Sequence, residues 1–176
     1  MSIWWSLHLR REAASVPLAR RLLLGTMETA GVDPDISFDL SVALSEACAN
    51  AVEHGGFAAD DGQDGAGAGQ GACAAYRVTA YLDGDCCRIE VTDSGPGFPP
   101  DTAAPDPAAA GTGAGGRPGQ PGPPGCAETA KEHGRGLWLI AELADHVRFR
   151  NRPGSGAVVS FDKILKWREG ALLKVS

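Results

Sequence analysis

The chain has 176 residues, which fits a single domain over residues 1–176 and leaves little room for two. Its net charge of −6 argues against a non-specific nucleic-acid binder, because neutralising phosphates takes clustered lysine and arginine, and it also disfavours an anionic membrane surface. No apolar run reaches the roughly 20 residues that cross a bilayer, no signal peptide is apparent, and the five cysteines lack disulfide or zinc spacing. We therefore expect a cytoplasmic protein with reduced thiols.

The first third of the chain predicts one strand and two helices. Residues 3–10 alternate partly and are rich in aromatic side chains, as in a strand. Residues 13–30 and 34–54 carry apolar side chains at intervals of three and four, as in helices covered on one side. Glycine ends both helical patterns, at Gly31 and at Gly55, as expected at helix C-termini.

The middle of the chain combines two short strands with two segments that have no packing pattern. Residues 55–71 are rich in glycine and predict a flexible loop. Residues 76–82 and 86–92 predict strands joined by a hairpin turn at Gly84. Residues 99–132 are rich in glycine and proline and predict a long lid, because such a segment cannot bury enough apolar surface to offset its ordering entropy.

The last part of the chain predicts a helix and a closing hairpin. The helix begins at Gly134, and the hairpin strands are residues 146–151 and 156–163. Tight turns join consecutive strands, so the sheet is expected to be mixed or mainly antiparallel, with the helices on one face. The predicted fold class is therefore α+β, a two-layer sandwich.

The second predicted helix carries a carboxylate and an amide on one face. Glu46 and Asn50 are four residues apart, so on a helix their Cβ atoms lie about 5–6 Å apart, and His54 follows on about the same side. Carboxylate and amide oxygens suit Mg²⁺, which takes few protein ligands beside waters and substrate phosphates. The alternative is an ordinary solvated face of an amphipathic helix.

A glycine turn follows the strand that ends near residue 92. Asp93 opens this turn, and an aspartate at a strand end can accept a hydrogen bond from an exocyclic amine such as that of adenine. Gly95 and Gly97 would let the backbone approach a flat ligand closely. A plain Asp-Ser-Gly turn without a ligand explains the same pattern.

A third motif stands at the expected start of the last helix. Gly134, Arg135 and Gly136 would place free backbone N–H groups and a guanidinium where phosphates could bind, and Lys131 lies just ahead of them. The alternative is a hinge that only lets the lid move.

Together the three motifs resemble the N, G1 and G2 boxes of the GHKL superfamily of ATPases, which includes histidine kinases and gyrase. The resemblance covers residues 8–163 and implies the Bergerat, or histidine-kinase-like, ATPase fold. The small size and the form Glu46…Asn50-Ala51-Val52-Glu53-His54-Gly55 look most like the anti-sigma-factor serine-protein kinases.

The resemblance implies ATP and Mg²⁺ as cofactors. It implies that Asn50 coordinates Mg²⁺, that Glu46 orients or deprotonates the attacking hydroxyl, and that Asp93 binds the adenine amine. The other positions that it implies around the nucleotide are His54, Gly95, Gly97, Lys131, Gly134, Arg135, Gly136 and Leu137.

It further implies an anti-anti-sigma (STAS-type) partner that is phosphorylated on serine, with a sigma factor as a competing partner, no direct nucleic-acid or membrane contact, and a homodimer as in similar proteins. One position departs from the pattern. Where the family often has Gly-Thr near the last strand, this chain has Gly156-Ala157, which removes a hydroxyl from the adenine site.

Three functions remain open at this point. The first is an ATP-dependent serine/threonine-protein kinase that acts as an anti-sigma regulator. The second is a nucleotide-gated binding module without kinase activity, suggested by the missing threonine and the long lid. The third is a detached histidine-kinase catalytic domain, whose product would be phosphohistidine.

Overall fold

The computed structural model describes residues 2–55, 75–95, 127–152 and 156–171, with the backbone alone for residues 127–134. These residues form five strands and three helices. In chain order they are β1 (Ser2–Arg10), α1 (Ser15–Ala30), α2 (Pro34–His54), β2 (Ala75–Asp83), β3 (Cys86–Thr92), α3 (Ala127–Leu143), β4 (His146–Arg152) and β5 (Gly156–Ile164). None of these three helices combines the length and hydrophobicity that crossing a bilayer requires.

The strands form one sheet in the order β1-β2-β3-β5-β4, and every neighbouring pair is antiparallel. The prediction of an α+β sandwich is confirmed, and the described strands make the sheet wholly antiparallel. The β2–β3 turn contains Gly84 with a φ of 54°, a left-handed conformation that glycine adopts without a steric penalty.

The core lies between the sheet and α2, the longest helix. Asp33 caps α2 by accepting a hydrogen bond from Asp35 N, and Pro34 occupies the first turn, where its missing N–H has no partner to lose. The helix buries a stripe that includes Leu40 and Leu44 against inward-facing sheet residues such as Phe161. This burial fixes the rotation of α2 and therefore which of its residues point toward α3.

Alternate residues of each strand point away from the helices. We call this side the outer sheet face. It includes Trp4, Tyr81 and Ile164, which are all exposed, and it also carries most of the charged residues of the strands.

The structure differs from the predicted organisation at the start of α3. The structure begins α3 at Ala127, so the predicted helix start at Gly134 is wrong, and residues 127–132 belong to the helix rather than to the end of a lid. The physical reason is composition, since residues 127–132 are mostly Ala, Glu and Lys, which favour helix and carry it through the glycines. The remaining predicted lid, residues 99–126, and the loop at 56–71 lie outside the described residues.

Candidate nucleotide-binding site

Asp93, the first residue after β3, is held by backbone groups of two different segments. Its Oδ1 accepts hydrogen bonds from Gly95 N at 2.8 Å and from Ala157 N at 3.1 Å, and its own N–H donates to Ala157 O at 3.0 Å. Among the described residues no donor reaches the other oxygen, Oδ2. The carboxylate is thus locked in one orientation with one oxygen left to accept a hydrogen bond from a ligand.

Three glycines surround this aspartate at very close range. A Cβ on Gly156 would overlap Asp93 O and lie 2.7 Å from Asp93 Oδ1, and the residue has a φ of +91°. A Cβ on Gly95 would lie 2.7 Å from both Gly55 Cα and His54 O, and one on Gly55 would lie 2.9 Å from Asp93 Cβ. No side chain fits at these positions, so the backbones of the α2 end, the β3 end and the β5 start meet directly. We call this cluster of Asp93 and the three glycines the base end.

A second cluster forms where α3 crosses α2. A Cβ on Gly136 would lie 3.1 Å from Glu46 Oε2 and 3.4 Å from Asn50 Oδ1. Glu46 and Asn50 are both half-buried, and Asn50 Nδ2 is buried without a hydrogen-bond partner among the described residues. We call this cluster of Glu46, Asn50 and Gly136 the acid end.

The helix α2 joins the two ends. Gly55 lies nine positions after Glu46, which corresponds to about 13.5 Å along a helix. Arg11, just after β1, holds the last turn: its Nε donates to Val52 O at 2.7 Å and its Nη2 reaches Glu53 O at 3.5 Å. These are carbonyls that a helix end leaves without an internal partner, so the guanidinium both satisfies them and complements the helix dipole.

The buried side of α2 is anchored by a polar group of the core. Tyr76 Oη is hydrogen-bonded to Ser15 Oγ at 2.7 Å, and it also contacts the Cys48 thiol. Burial raises the pKa of Cys48 to about 12. The hydrogen bond from Tyr76 lowers this pKa, but its effect is smaller than that of burial. Cys48 therefore remains a neutral thiol, and although it lies between Glu46 and Asn50 in sequence it packs in the core rather than serving as a nucleophile.

Comparison with known proteins identifies the family. Residues 9–163 match the family described as the histidine kinase-like ATPase domain. The chain belongs to this family. The matched range contains both the base end and the acid end, so the GHKL resemblance of the three motifs is confirmed.

The chain is also similar to solved structures. The RsbU and RsbW domains of Rv1364c from Mycobacterium tuberculosis match with a TM-score of 0.54 and 19% sequence identity. The match covers 92% of this chain but only 32% of that one, so this chain spans about a third of the length of its solved neighbour. At this identity the likeness is one of fold. No curated protein matches the chain.

The acid end fits the magnesium ion that this ATPase family implies. Glu46 and Asn50 supply hard oxygen atoms, and the unpaired amide nitrogen of Asn50 is a buried donor that a phosphate oxygen would satisfy. The described residues contain no group of three His, Cys, Asp or Glu side chains that could hold a metal by themselves. A cation bound here would therefore share its coordination with phosphates and water, as Mg²⁺ does.

The structure brings together most, but not all, of the residues that the sequence proposed for this site. Glu46, Asn50 and Gly136 meet at one end, and Asp93 and Gly95 meet at the other. His54 contributes its backbone carbonyl beside Gly95, while its side chain is 40% exposed and lies 3.4 Å from the Glu53 carboxylate.

The other proposed positions are placed less directly. Leu137 is half-buried and packs against the core, and Arg135 is exposed and its side chain forms no hydrogen bond or ion pair with the rest of the described chain. Lys131 and Gly134 lie on α3 where only the backbone is described, and Gly97 lies outside the described residues.

The expectation that Gly134–Gly136 supply free N–H groups at a helix start is wrong. These residues follow seven others in α3, so their N–H groups face carbonyls one turn back in the same helix. What Gly136 supplies instead is the absence of a side chain, which lets α3 approach Glu46 and Asn50 closely.

Sequence reasoning missed four residues that contribute to the site. Gly55 marked only a helix end, yet it packs on Asp93. Gly156 and Ala157 had been noted only for a departure from the family pattern, yet their backbone holds Asp93 in place. Arg11 had no signal in the sequence, because nothing in a local pattern shows that it reaches carbonyls 41 residues away.

Proposed function

We propose that this ATPase-family protein is an ATP-dependent serine/threonine-protein kinase that acts as an anti-sigma regulator. Its substrate would be a serine of an anti-anti-sigma (STAS-type) partner, and a sigma factor would compete for the same protein. Such a role would place it in the cytoplasm. The observation that carries the proposal is the acid end, where Glu46 and Asn50 lie side by side against Gly136, in the C-terminal half of the helix whose end packs on Asp93.

The base end would select the nucleotide. Asp93 Oδ2 would accept a hydrogen bond from the adenine amine, while Oδ1 stays occupied by Gly95 N and Ala157 N. A carbonyl oxygen in the same position, as in guanine, would be repelled by the carboxylate. Ala157 brings no hydroxyl to this pocket, so the backbone contacts and Asp93 carry the recognition there.

The acid end would position the reacting groups. Asn50 would hold Mg²⁺ through its amide oxygen, and the bound ion would neutralise charge on the phosphates. Glu46, whose Oε2 lies close to Gly136, would orient the hydroxyl of the partner serine and accept its proton. Phosphoryl transfer depends mainly on positioning and charge stabilisation, so two side chains with fixed geometry are a sufficient core for it.

Two further observations support the kinase proposal. The motif around Glu46 and Asn50 resembles the anti-sigma-factor serine kinases, and the solved structure with the same fold includes a domain named RsbW.

The test is transfer of phosphate from labelled Mg²⁺-ATP to purified STAS-type proteins. We expect acid-stable phosphoserine on the partner, a loss of about a hundredfold or more in transfer rate for Glu46→Gln, and unchanged Mg²⁺-ATP binding by that variant. Glu53→Gln is the matched control, because Glu53 is on the same helix but 67% exposed, and it should keep transfer.

Other outcomes would replace the proposal. Acid-labile phosphohistidine would identify a detached histidine-kinase catalytic domain. Normal ATP binding with no phosphoprotein would identify a nucleotide-gated binding module, a role that the missing hydroxyl at Ala157 favours. Transfer at the normal rate by Glu46→Gln would remove Glu46 as the base.

A further inference from the structure

The outer sheet face has an uneven distribution of charge. It carries six arginines and three carboxylates, although the whole chain has a net charge of −6. Two of the three carboxylates, Asp83 and Asp162, lie in the half of the face toward the β2–β3 turn, and Glu90 lies in the middle of the face, in the same row as Arg148. The half toward this turn also contains the face's arginine ion pair, in which Arg88 Nε donates to Asp162 at 2.7 Å.

The other half of the face is basic. Arg10, Arg77, Arg150 and Arg152 lie there on three different strands, and we call these four residues the arginine half. None of their cross-strand neighbours is a carboxylate. All four arginines are exposed, and none of the four side chains forms an ion pair or hydrogen bond with any described residue.

Edge protection accounts for only part of this arrangement. Charged residues on an edge strand discourage pairing with another chain, and β1 and β4, which carry Arg10, Arg150 and Arg152, are the two edge strands. Arg77, however, lies on β2, which is paired on both sides. Four like charges on one surface repel each other unless an anionic partner is present, so the surface is better explained by binding than by solubility alone.

We propose that the arginine half is a docking surface for an acidic protein segment. On β4 the arginines occur at every second residue, about 6.6–6.8 Å apart, which matches the spacing of alternate carboxylates in an extended peptide.

The distribution of charge on the outer sheet face favours an acidic protein segment over a nucleic acid or a second copy of this chain. A nucleic acid would bring a continuous row of phosphates across Glu90 and Asp162 and close to a molecule of net charge −6. A second copy stacked face to face would set arginines against arginines in one orientation. In the reverse orientation it would offer the arginine half only Asp83, Glu90 and Asp162, and Asp162 is already paired with Arg88. An acidic protein segment meets the arginine half and need not cover the carboxylates.

The surface lies near the base end but on the other side of the sheet. Arg152 pairs with Gly156, and Arg77 pairs with Thr92, the residue before Asp93. A segment docked on the arginine half therefore contacts the two strand ends that hold Asp93 without entering the nucleotide pocket.

The experiment measures binding of a labelled peptide of alternating Glu and Ser, about 16 residues long, by fluorescence anisotropy at low salt. The test variant is Arg77→Gln/Arg150→Gln/Arg152→Gln. The matched control is Arg20→Gln/Arg21→Gln/Lys166→Gln, which removes the same charge from residues that are not on the outer sheet face. We expect the test variant to lose about tenfold or more in affinity and the control to stay within about twofold of wild type.

Several results would overturn the proposal. Equal loss in both variants would show an effect of net charge alone, and no loss in the test variant would show binding elsewhere. Tighter binding of a DNA duplex of similar length, also lost in the test variant, would assign the surface to nucleic acid. Sedimentation showing a dimer that only the test variant disrupts would assign it to a second copy. Because none of the mutated residues contacts Asp93, Glu46 or Asn50, ATP binding by the same variants reports separately on the nucleotide site.

Discussion

The two ends of the candidate site are built in different ways. At the base end, the backbones of Gly55, Gly95 and Gly156 meet around Asp93, and no side chain could be added without displacing main chain. At the acid end, two side chains of α2 face a single glycine of α3, and one amide group remains unpaired. The comparison teaches that recognition of the base is part of the fold itself, whereas the phosphate and metal end depends on side chains that can change with little effect on folding.

The largest expected effect is at the base end. Gly156→Ala should lower the free energy of unfolding by about 2–4 kcal/mol, because the new Cβ would overlap Asp93 and the φ of +91° disfavours any other residue. Gly170→Ala is the control, since Gly170 has a φ of +80° but open space around it, and it should cost only about 1 kcal/mol. Denaturant unfolding measures both, and equal losses would show that packing on Asp93 is unimportant.

At the acid end, we expect a substitution to change nucleotide affinity more than stability. Gly136→Ala should leave stability unchanged or raise it by up to about 1 kcal/mol, since alanine favours helix, yet weaken Mg²⁺-ATP binding by about tenfold because the Cβ crowds Glu46 and Asn50. Gly25→Ala, in α1 with nothing nearby, should show the same stability gain without a change in affinity. Calorimetric titration distinguishes them, and an unchanged affinity for Gly136→Ala would remove the acid end from the site.

Arg11 binds the last turn of α2, the helix that connects the acid end to the base end. Arg11→Ala removes a guanidinium from the last turn of α2, and we expect a loss of stability of about 1 kcal/mol together with a several-fold weaker affinity for ATP. Arg168→Ala is matched to it, because Arg168 Nε donates to Val32 O at 3.1 Å, just before the other end of α2. It should lose similar stability but keep ATP affinity. Parallel loss of affinity in both variants would mean that Arg11 acts only through general stability.

The smallest expected effect on stability is that of Asp162, which lies on the outer sheet face, away from both the base end and the acid end. The hydrogen bond and charge of Arg88 lower the pKa of Asp162, so the folded state is stabilised above the ordinary carboxyl pKa and loses this stabilisation as the pH falls through the lowered value. Arg88 is half-exposed, so Asp162→Asn should cost less than about 1 kcal/mol at pH 7, and this cost should shrink to nothing as the pH falls through the lowered pKa. Urea unfolding over a series of decreasing pH values checks this, and a difference that does not shrink in acid would point to another cause. ATP affinity should not change.

The fold was largely predictable because its elements have clear local patterns. The α2 pattern ends at Gly55, and the strands around Gly84 alternate regularly, so their bounds agree with the structure to within a residue or two. The start of α3 was missed because the glycines at 134 and 136 resemble a helix start, while the helix-favouring residues before them follow a segment with no pattern.

The site was predictable only where one helix or one turn carries it. Glu46 and Asn50 share a face because they are four residues apart, and the Asp93 turn can be recognised from its own sequence. Two other contacts join residues that are 64 or more positions apart. Gly136 packs against Glu46, and Ala157 N donates a hydrogen bond to Asp93. Such contacts depend on sheet order and helix packing, which no local pattern specifies.

The central claim is that Asp93 and the acid end form one Mg²⁺-dependent ATP site. The most direct measurement is calorimetric titration of wild type, Asp93→Asn and Asn50→Ala with ATP and GTP in Mg²⁺. Asparagine can still accept from Gly95 N and Ala157 N but presents an NH₂ group in place of Oδ2, so Asp93→Asn should fold normally and lose its preference for ATP over GTP. Asn50→Ala should weaken both nucleotides without changing that preference. Wild-type protein that gives no heat with millimolar Mg²⁺-ATP, or an Asp93→Asn variant that still prefers ATP as strongly, would contradict the account.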